Sequence, residues 1–451
     1  MSHPSETART TIVAIATPPG TGAISMVRLT GPRALQIAAS ASRRDESQFM
    51  ARLAVHCRIF DDFGTILDDG IMIYFPGPNS YTGEDVVEFS GHGGMWVTSE
   101  VLGRFLSIGA VAAGPGEFTQ RAFLNGKLDL TQAEGVMDLI SAQNRLSLRA
   151  ARSQLEGELG KLTTQARDSL LGALSHLEAW IDFPEEDIDP ASGESLVREV
   201  DAVLNTVTKL LATADQGRIL REGVKTVIFG KPNVGKSSLL NRLLGFERAI
   251  VSDLAGTTRD TIEEVVNLGG IPLKLVDTAG IRDSDDPIEA QGMARTFRQI
   301  EGADLLLEVM DGNAERAKIS PGCEDTVRIV VLNKTDLGEH QSWAGIDAVR
   351  ISCASGSGFE ALAVKIQSSL HLREADWGDH AVAINARHQA CLQIAKTSLN
   401  RAVEILRNRH MDNELASIDL REALDALGEI PGRVDTEDLL GVIFSRFCIG
   451  K

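Results

Sequence analysis

The sequence predicts a multidomain protein of mixed α/β and α+β class, in which a parallel-sheet domain is inserted into a helical domain. Between residues 217 and 376, short apolar runs alternate with helical stretches, which is typical of βαβ units. Before and after that segment, apolar residues recur three and four positions apart, which indicates helices. Near the N-terminus, glycine-rich turns separate short apolar runs, which favours an α+β domain ahead of the helices.

These patterns divide the 451 residues into four segments. We predict an α+β domain at 1–123, the first part of a helical domain at 124–216, the inserted domain at 217–376, and the second helical part at 377–451. In the first segment the apolar runs lie at 11–16, 71–75 and 86–89. In the inserted domain we predict strands at 226–229, 273–276, 305–309 and 329–332. An acidic, proline-bounded loop at 182–190 interrupts the first helical part.

Composition and charge exclude several classes of protein. The formal net charge of −18 rules out a general electrostatic hold on nucleic acid, so an RNA substrate would need a local basic patch or a partner. The sequence contains no apolar run of about 18 residues, so no membrane span is predicted, and no secretory signal is evident at the N-terminus. The five cysteines are scattered without a C-x-x-C pair, which argues against a disulfide framework or a zinc site and favours a cytoplasmic location.

A phosphate-binding loop is predicted at residues 230–237. This stretch matches G-x-x-x-x-G-K-S and lies between an apolar strand and a helical segment, a context that disfavours an ordinary glycine turn. Backbone N–H groups and the helix N-terminus would bind phosphate oxygens, Lys236 would reach the β- and γ-phosphates, and the Ser237 hydroxyl would bind Mg²⁺. The predicted nucleotide contacts here are Gly230, Asn233, Val234, Gly235, Lys236, Ser237 and Ser238.

Two further segments are predicted to respond to the γ-phosphate. The D-x-x-G sequence Asp277, Thr278, Ala279, Gly280 follows a strand, where the carboxylate can hold the Mg²⁺ shell through water and the glycine N–H can meet the γ-phosphate. Taken alone, this sequence is also typical of ordinary turns at strand ends. Its distance from the phosphate loop favours the functional interpretation. Between the two motifs, Thr258 would supply a second hydroxyl to Mg²⁺ unless the loop is merely solvated. The remaining predicted contacts of that loop are Ser252, Asp253, Leu254, Ala255, Gly256 and Thr257.

Base recognition is predicted at two later loops. Asn333, Lys334 and Asp336 follow a third apolar strand, and the Asp336 carboxylate can accept both N–H donors that guanine presents side by side. Adenine offers no such pair, so the predicted nucleotide is GTP. The next loop contains Ser352, Cys353 and Ala354, whose backbone N–H groups can contact the guanine O6. GTPases usually have a basic residue at the third of these positions, and its absence puts a side-chain contact in doubt.

Motifs throughout the chain resemble the potassium-dependent tRNA-modification GTPases of the MnmE (TrmE) type. The phosphate loop and the 255–260 segment are also similar to Era- and EngA-like ribosome-assembly GTPases, so they do not discriminate. The discriminating matches lie outside the inserted domain and span nearly the whole chain. They are residues 11–20, 75–86, 91–94, 115–130 and the terminus Phe447-Cys448-Ile449-Gly450-Lys451.

The resemblance implies an N-terminal domain that dimerises and binds 5-formyltetrahydrofolate or a related folate. It also implies an FAD-containing partner, MnmG (GidA). With that partner, C5 of the wobble uridine of certain tRNAs would receive an aminomethyl or carboxymethylaminomethyl group. The residues matching the folate site are Arg28, Glu88, Lys127 and Lys451, for which the alternative is ordinary surface charge. Cys448 would lie near the one-carbon donor.

The same resemblance implies how hydrolysis is catalysed. Ile281 follows the D-x-x-G sequence and cannot orient water as a glutamine would. Family members use K⁺ near the β- and γ-phosphates, held here by Asn233, Ser252, Leu254 and Thr257, and Glu289 would position the attacking water. The alternative for Glu289 is a solvated carboxylate at a helix start. Arg282 would help to order this segment, and the predicted catalytic residues are Glu289, Lys236, Arg282 and Cys448. The runner-up function is a pure regulatory switch of the Era or EngA kind.

Overall fold

The computed structural model describes residues 10–142, 145–182, 191–213, 218–219, 223–245, 264–275, 302–316, 326–370, 384–408, 413–432, 437–445 and 447–450. The chain divides into two compact units. One comprises Met1–Met137 with Pro431–Lys451, and the other is Asp138–Ile430. The four predicted segment boundaries stay a prediction, and the grouping of the last residues with the N-terminal unit is a finding of the structure.

The N-terminal unit is built on a six-stranded sheet in the order β3-β4-β5-β2-β1-β6. Neighbouring strands are antiparallel except β1 and β6, which are parallel. The strands are β1 (Ile12–Ile15), β2 (Ile24–Thr30), β3 (Val55–Phe60), β4 (Ile66–Phe75), β5 (Val86–His92) and β6 (Val111–Ala112). The helices of this unit are α1 (Ala34–Ser42), α2 (Met95–Ser107), α3 (Glu117–Leu124) and α4 (Leu130–Ser141), which runs across the boundary at residue 137, followed at the C-terminus by α12 (Glu437–Phe444).

Each face of this sheet has its own apolar layer. Alternation along β2 directs Val27 and Leu29 into the layer that α1 and α2 cover, while Arg28 between them points to the opposite face. On that opposite face, Phe118 of α3 packs against Ile12 and Ala14 of β1. The alternation thus places the Arg28 side chain on the face that carries α3, where a polar site can form.

The C-terminal residues join this unit through backbone pairing and an apolar cluster. The Leu130 N–H donates to the Pro431 carbonyl at 3.0 Å, and the Gly116 N–H donates to the Cys448 carbonyl at 3.4 Å. Phe444 and Phe447 pack with Leu130 in a small buried cluster. Sequence periodicity reports only that 437–444 is helical and cannot indicate which unit its apolar face contacts.

The second unit contains a bundle made from two distant parts of the chain. Its helices are α5 (Arg145–Leu155), α6 (Glu158–Asp182), α7 (Ala191–Ala212), α10 (Ala386–Arg407) and α11 (Asn413–Glu429). Buried residues of α6 and α7, such as Leu170 and Val200, share one core with Leu392 and Leu399 of α10 and Leu420 of α11. The predicted insertion is therefore confirmed, because the helices before and after the sheet domain form one core.

The inserted domain contains a second six-stranded sheet in the order β12-β11-β10-β7-β9-β8. Its strands are β7 (Val224–Phe229), β8 (Glu264–Leu268), β9 (Ile271–Leu275), β10 (Leu305–Asp311), β11 (Val327–Asn333) and β12 (Val349–Arg350), with helices α8 (Lys236–Leu244) and α9 (Phe359–Ser369). Only β8 is antiparallel to its neighbour, through a tight turn at Gly269 and Gly270, both with positive φ. The predicted strands are confirmed as far as the described residues extend.

The order of strands fixes where a ligand can bind. After β9 the chain crosses to the other side of β7 to form β10. Ligands of open α/β sheets bind at such a switch point, beyond the carboxyl ends of the strands. No helix within the described part of the chain is long and apolar enough to cross a membrane.

Candidate functional site

The loop between β7 and α8 curls back on itself because three of its residues adopt left-handed backbone torsions. Their φ values are 148° at Gly230, 62° at Asn233 and 99° at Gly235. A Cβ at Gly230 would overlap the carbonyl oxygen of Val309 in β10, and one at Gly235 would overlap the Asn333 amide. Backbone N–H groups of such a loop converge on one concavity ahead of a helix N-terminus. The loop therefore has the geometry to bind phosphate oxygens.

Lys236 begins α8 directly behind this concavity. Its Nζ donates to the carbonyl oxygen of Lys231 at 2.8 Å, which holds the side chain across the loop. Burial lowers the pKa of Lys236 below its ordinary value, because a partly desolvated ammonium is less stable. A bound phosphate would favour the charged form again. Ser237 and Ser238 follow in the first turn, where Ser237 is partly buried and Ser238 is exposed.

The Asn333 side chain connects the phosphate loop to the loop after β12. It is 2% exposed. Its amide donates to the Val234 carbonyl at 3.0 Å, and its Oδ1 accepts from the Cys353 N–H at 3.1 Å. The carboxyl ends of β7, β11 and β12 are thus joined by one buried amide. Asn333 acts here as the link between two loops.

Lys334 makes the second connection to the phosphate loop. Its Nζ donates to the Asn233 carbonyl at 2.8 Å and pairs with the Asp311 carboxylate at 2.7 Å. The Lys334 backbone is left-handed, with φ 64°, which turns the chain away from β11. Asp311 ends β10 in register with Asn333 at the end of β11. The phosphate loop and the loop after β11 are therefore held at a fixed spacing. A nucleotide requires such a spacing, because its phosphates lie at one end and its base at the other.

The loop after β12 is closed by its own backbone. The Ser352 N–H donates to the Ser357 carbonyl at 3.1 Å, and the Gly356 N–H donates to the Ser352 carbonyl at 2.8 Å. Cys353 is partly buried, and burial raises the pKa of its thiol to about 11, with smaller effects from Arg242 and Asp336. The thiol is therefore neutral and unreactive at neutral pH. Asp336 lies in a short 3₁₀ turn, within electrostatic range of this loop.

Several predicted site residues lie outside the described residues. They are Ser252, Asp253, Leu254, Ala255, Gly256, Thr257, Thr258, Asp277, Thr278, Ala279, Gly280, Arg282, Glu289 and Lys451. Their roles stay predictions.

The N-terminal unit brings two of its predicted ligand residues into direct contact. Arg28 on β2 faces Glu88 on β5, and the Arg28 Nε donates to the Glu88 Oε1 at 2.8 Å. The two side chains are 15% and 18% exposed. The guanidinium carbon also lies 5.9 Å from the ring centre of Tyr81 and 5.8 Å from that of Phe118. An arginine held by a carboxylate and two rings is a rigid donor group.

The C-terminal residues lie beside this arginine. An Arg28 Nη donates to the Gly450 carbonyl at 3.4 Å, and Ile449 forms a bridge with Pro115. Gly450 has φ 96° and approaches Ile15 so closely that a Cβ would overlap its carbonyl oxygen. Cys448 is held by the backbone bond to Gly116 given above. The terminus is therefore docked on the N-terminal unit, with Cys448 within two residues of the Arg28 contact.

Lys127 is placed differently. Its Nζ donates to the Pro78 carbonyl at 3.0 Å, and its aliphatic chain lies near Gly83. The structure records no contact between Lys127 and either Arg28 or Glu88 among the residues that it describes. The three predicted residues therefore do not form one contiguous contact.

Sequence reasoning missed Asp311, Tyr81 and Arg242. Asp311 could have been found, because it ends an apolar run as Asn333 does. Tyr81 lies in the 75–86 motif, but nothing in the sequence indicates that its ring approaches Arg28. Arg242 has the appearance of an exposed helix residue, and only the tertiary structure brings it to the loop after β12.

A phosphate loop at the end of β7, joined through the buried Asn333 side chain to the loop after β12, defines the inserted domain as a P-loop GTPase domain. The remainder of the chain identifies the family of GTPases to which the protein belongs. The model of the MnmE helical domain matches residues 130–448, and that of the GTP-binding protein TrmE N-terminus matches residues 11–127. The chain belongs to the MnmE family of tRNA modification GTPases.

Curated relatives agree over almost the full length. The tRNA modification GTPase MnmE of Akkermansia muciniphila is 48% identical, and the alignment covers 98% of this chain and 99% of that protein. The protein of the same name from Aquifex aeolicus is 45% identical over 98% of this chain and 100% of its own length.

Solved structures are similar over a smaller part of the chain. A point variant of Aquifex aeolicus Era bound to GDP·AlF4⁻ is 26% identical over 39% of this chain and 66% of that one, with a TM-score of 0.25. The G domain of the T. maritima FeoB iron transporter is 27% identical over 32% of this chain and 98% of that one, with a TM-score of 0.23.

Proposed function

We propose that this protein hydrolyses GTP and, together with an FAD-containing MnmG partner, modifies C5 of the wobble uridine of certain tRNAs with an aminomethyl or carboxymethylaminomethyl group. The observation behind the proposal is the 48% identity with one tRNA modification GTPase over 98% of the chain. The alternative, a regulatory GTPase of ribosome assembly, would share the inserted domain alone. No observation favours it.

Guanine nucleotide binding is proposed at the carboxyl ends of β7, β10, β11 and β12. The phosphate-loop N–H groups and Lys236 would bind the β- and γ-phosphates, and Asp336 would accept the paired donors of guanine. Because the Cys353 N–H is engaged by Asn333, we assign the contact with guanine O6 to the Ala354 N–H. Val234, Gly235 and Ser238 would contribute the surrounding loop backbone.

Two cations are proposed at this site. Ser237 stands in the first turn of α8, where its hydroxyl can bind Mg²⁺, with Thr258 as the proposed second ligand. Asn233 is exposed, with its carbonyl bound by Lys334, so its side-chain oxygen is the atom proposed for K⁺. The other proposed K⁺ ligands are Ser252, Leu254 and Thr257. A bound K⁺ would supply positive charge beside the β–γ bridge as hydrolysis proceeds. Glu289 would position the attacking water, and Arg282 would order that segment.

Folate binding is proposed at Arg28. The rigid Arg28–Glu88 pair, the two rings and the docked terminus form a polar site beside an apolar wall, which suits a pteridine with a charged tail. The ligand would be 5-formyltetrahydrofolate or a related folate. Lys451 would add charges at the terminus, Lys127 would contact the tail, and Cys448 would lie near the one-carbon unit.

The proposed assembly is a cytoplasmic homodimer that acts on tRNA with its partner. With a net charge of −18, the chain is poorly suited to hold tRNA alone. The partner would then supply much of the basic RNA surface.

Mass spectrometry of tRNA nucleosides after deletion of the gene tests the proposal. We expect loss of the C5-modified wobble uridine, restored by the wild-type gene but not by a Lys236→Ala version. Lys365→Ala, which removes a lysine from α9 where it pairs with the exposed Asp347, is the matched control and should restore it. Unchanged wobble uridines in the deletion strain would leave the regulatory alternative standing.

Potassium dependence tests the cation proposal separately. GTP turnover should rise strongly when K⁺ replaces Na⁺ at equal ionic strength, and Asn233→Ala should remove most of that increase while GDP binding remains. Equal turnover in the two salts would reject the K⁺ site and leave the GTPase assignment intact.

A further inference from the structure

Arg242 lies against the loop that is proposed to contact the guanine base. It belongs to the last turn of α8, the helix that begins at the phosphate loop. Leu239, Leu240 and Leu243 of this helix are buried in the domain core, whereas Arg242 is exposed overall. Its guanidinium nevertheless lies over Gly356. A Cβ at that position would be 3.0 Å from Cζ of Arg242 and 3.3 Å from its Nε.

The contact depends on a glycine. Gly356 has φ 83°, and its N–H closes the loop onto the Ser352 carbonyl at 2.8 Å. Any other residue at 356 would be strained and would also displace the guanidinium. The planar guanidinium therefore lies where only bare backbone leaves room for it.

The loop has no basic side chain of its own between 352 and 358. The third position of the Ser352–Ala354 sequence, where a basic residue is usual, is an exposed alanine. Arg242 and Asp336 both act electrostatically on the Cys353 thiol, Arg242 lowering and Asp336 raising its pKa beside the larger effect of burial. The two charged groups are thus close to the same few atoms of the loop.

We propose that Arg242 is a positioning residue for guanine recognition, which holds the Ser352–Gly358 loop so that the Ala354 N–H meets O6 and which supplies the cation missing at position 354. The inference rests on the proposed GTP binding. Because α8 also begins at Lys236, the helix that binds the phosphates would fix the base loop at its other end. A cation near the loop makes its N–H groups better donors to a carbonyl oxygen.

Calorimetry on the full chain with GDP and two analogues tests the assignment. 6-Thio-GDP keeps both donors for Asp336 but has a weak acceptor in place of O6, whereas IDP keeps O6 and lacks the N2 donor. Arg242→Gln should weaken GDP binding about fivefold and reduce the preference for GDP over 6-thio-GDP by about threefold or more, the scale of one charge-assisted contact. The preference for GDP over IDP should not change. If Arg242 had only a structural role, Arg242→Gln would lower the affinity for all three nucleotides equally.

Two matched variants complete the test. Lys365→Gln removes one positive charge from α9, where Lys365 pairs with Asp347 outside the loop, and should leave every preference unchanged. Ala354→Lys combined with Arg242→Gln should recover the preference for GDP over 6-thio-GDP. The assignment is overturned if Arg242→Gln keeps the wild-type preference, if Lys365→Gln lowers it equally, or if the double variant recovers nothing. A wild-type protein that binds no GDP would instead refute the proposed function.

Discussion

The buried Asn333 amide offers the sharpest test of how the nucleotide site is organised. Asn333→Ala removes two hydrogen bonds, one to Val234 that is fully buried and one from Cys353 that is partly buried. The buried Val234 carbonyl left without a partner costs about 1 to 3 kcal/mol, and loss of the partly buried Cys353 bond costs about 1 kcal/mol more, so we expect a total loss of about 2 to 4 kcal/mol.

This loss should appear mainly in the stability of the inserted domain. Both bonds join parts of the protein to each other, so their loss acts on the folded domain itself. GDP affinity should also fall, because the phosphate loop and the base loop are no longer held at the spacing of one nucleotide. The stability loss would exceed the affinity loss.

Urea unfolding monitored by the fluorescence of Trp343 measures the stability of the inserted domain. Trp343 is 1% exposed, and its indole N–H donates to the Ala314 carbonyl at 2.9 Å. The tryptophans at 96, 180 and 377 would be replaced by phenylalanine in all samples. Asn241→Ala, the same change at an exposed position of α8, is the control and should cost less than about 0.5 kcal/mol. If both alanine variants unfold at the same urea concentration, the inferred link between the loops is wrong.

Four further outcomes are expected. Asp336→Asn should shift the nucleotide preference from GTP towards XTP, because an amide can donate to the altered edge of xanthine, as competition binding would show. Glu289→Ala should lower kcat by about 100-fold or more with little change in GTP affinity. Deletion of residues 449–451 should weaken 5-formyltetrahydrofolate binding by at least about tenfold in calorimetry, with GTP turnover unchanged. His92→Gln should lower the stability of the N-terminal unit more at pH 5.5 than at pH 8.5.

The sign of the last effect follows from the contact that His92 makes. Its Nδ1 is 2.6 Å from the Asp68 carboxylate, and this hydrogen bond, with attraction to the same charge, raises the pKa of His92. A raised folded-state pKa stabilises the fold below the unfolded pKa, which is about 6.5, and the contribution is lost as the pH rises through the folded value. A stability difference that is equal at both pH values would contradict the assignment.

Each of the other three predictions has its own contrary result. A variant of Asp336 that still strongly prefers GTP would show that this carboxylate does not recognise the base. A nearly normal kcat for Glu289→Ala would return Glu289 to a solvated charge at a helix start. Equal folate affinity with and without the last three residues would reject the docked terminus as part of the site.

Much of the inserted domain follows from local patterns. A buried parallel strand needs a short apolar run, and a phosphate loop needs glycine where the backbone is left-handed, so both are visible in sequence. Gly230 and Gly235 confirm this with φ values of 148° and 99°. The Asn333–Asp336 motif is likewise local, because a loop that follows a strand end presents its polar groups at the carboxyl edge of the sheet.

The sequence by itself determined the alternation of segments, the phosphate and base motifs, and the family to which nearly every part of the chain bears a resemblance. The tertiary structure decided which distant groups meet. It joined Lys334 to Asp311, brought Arg242 to Gly356, and docked Gly450 beside Arg28. Periodicity and motif spacing depend on neighbours along the chain, whereas these contacts depend on how separate elements pack, and packing is a property of the whole apolar core.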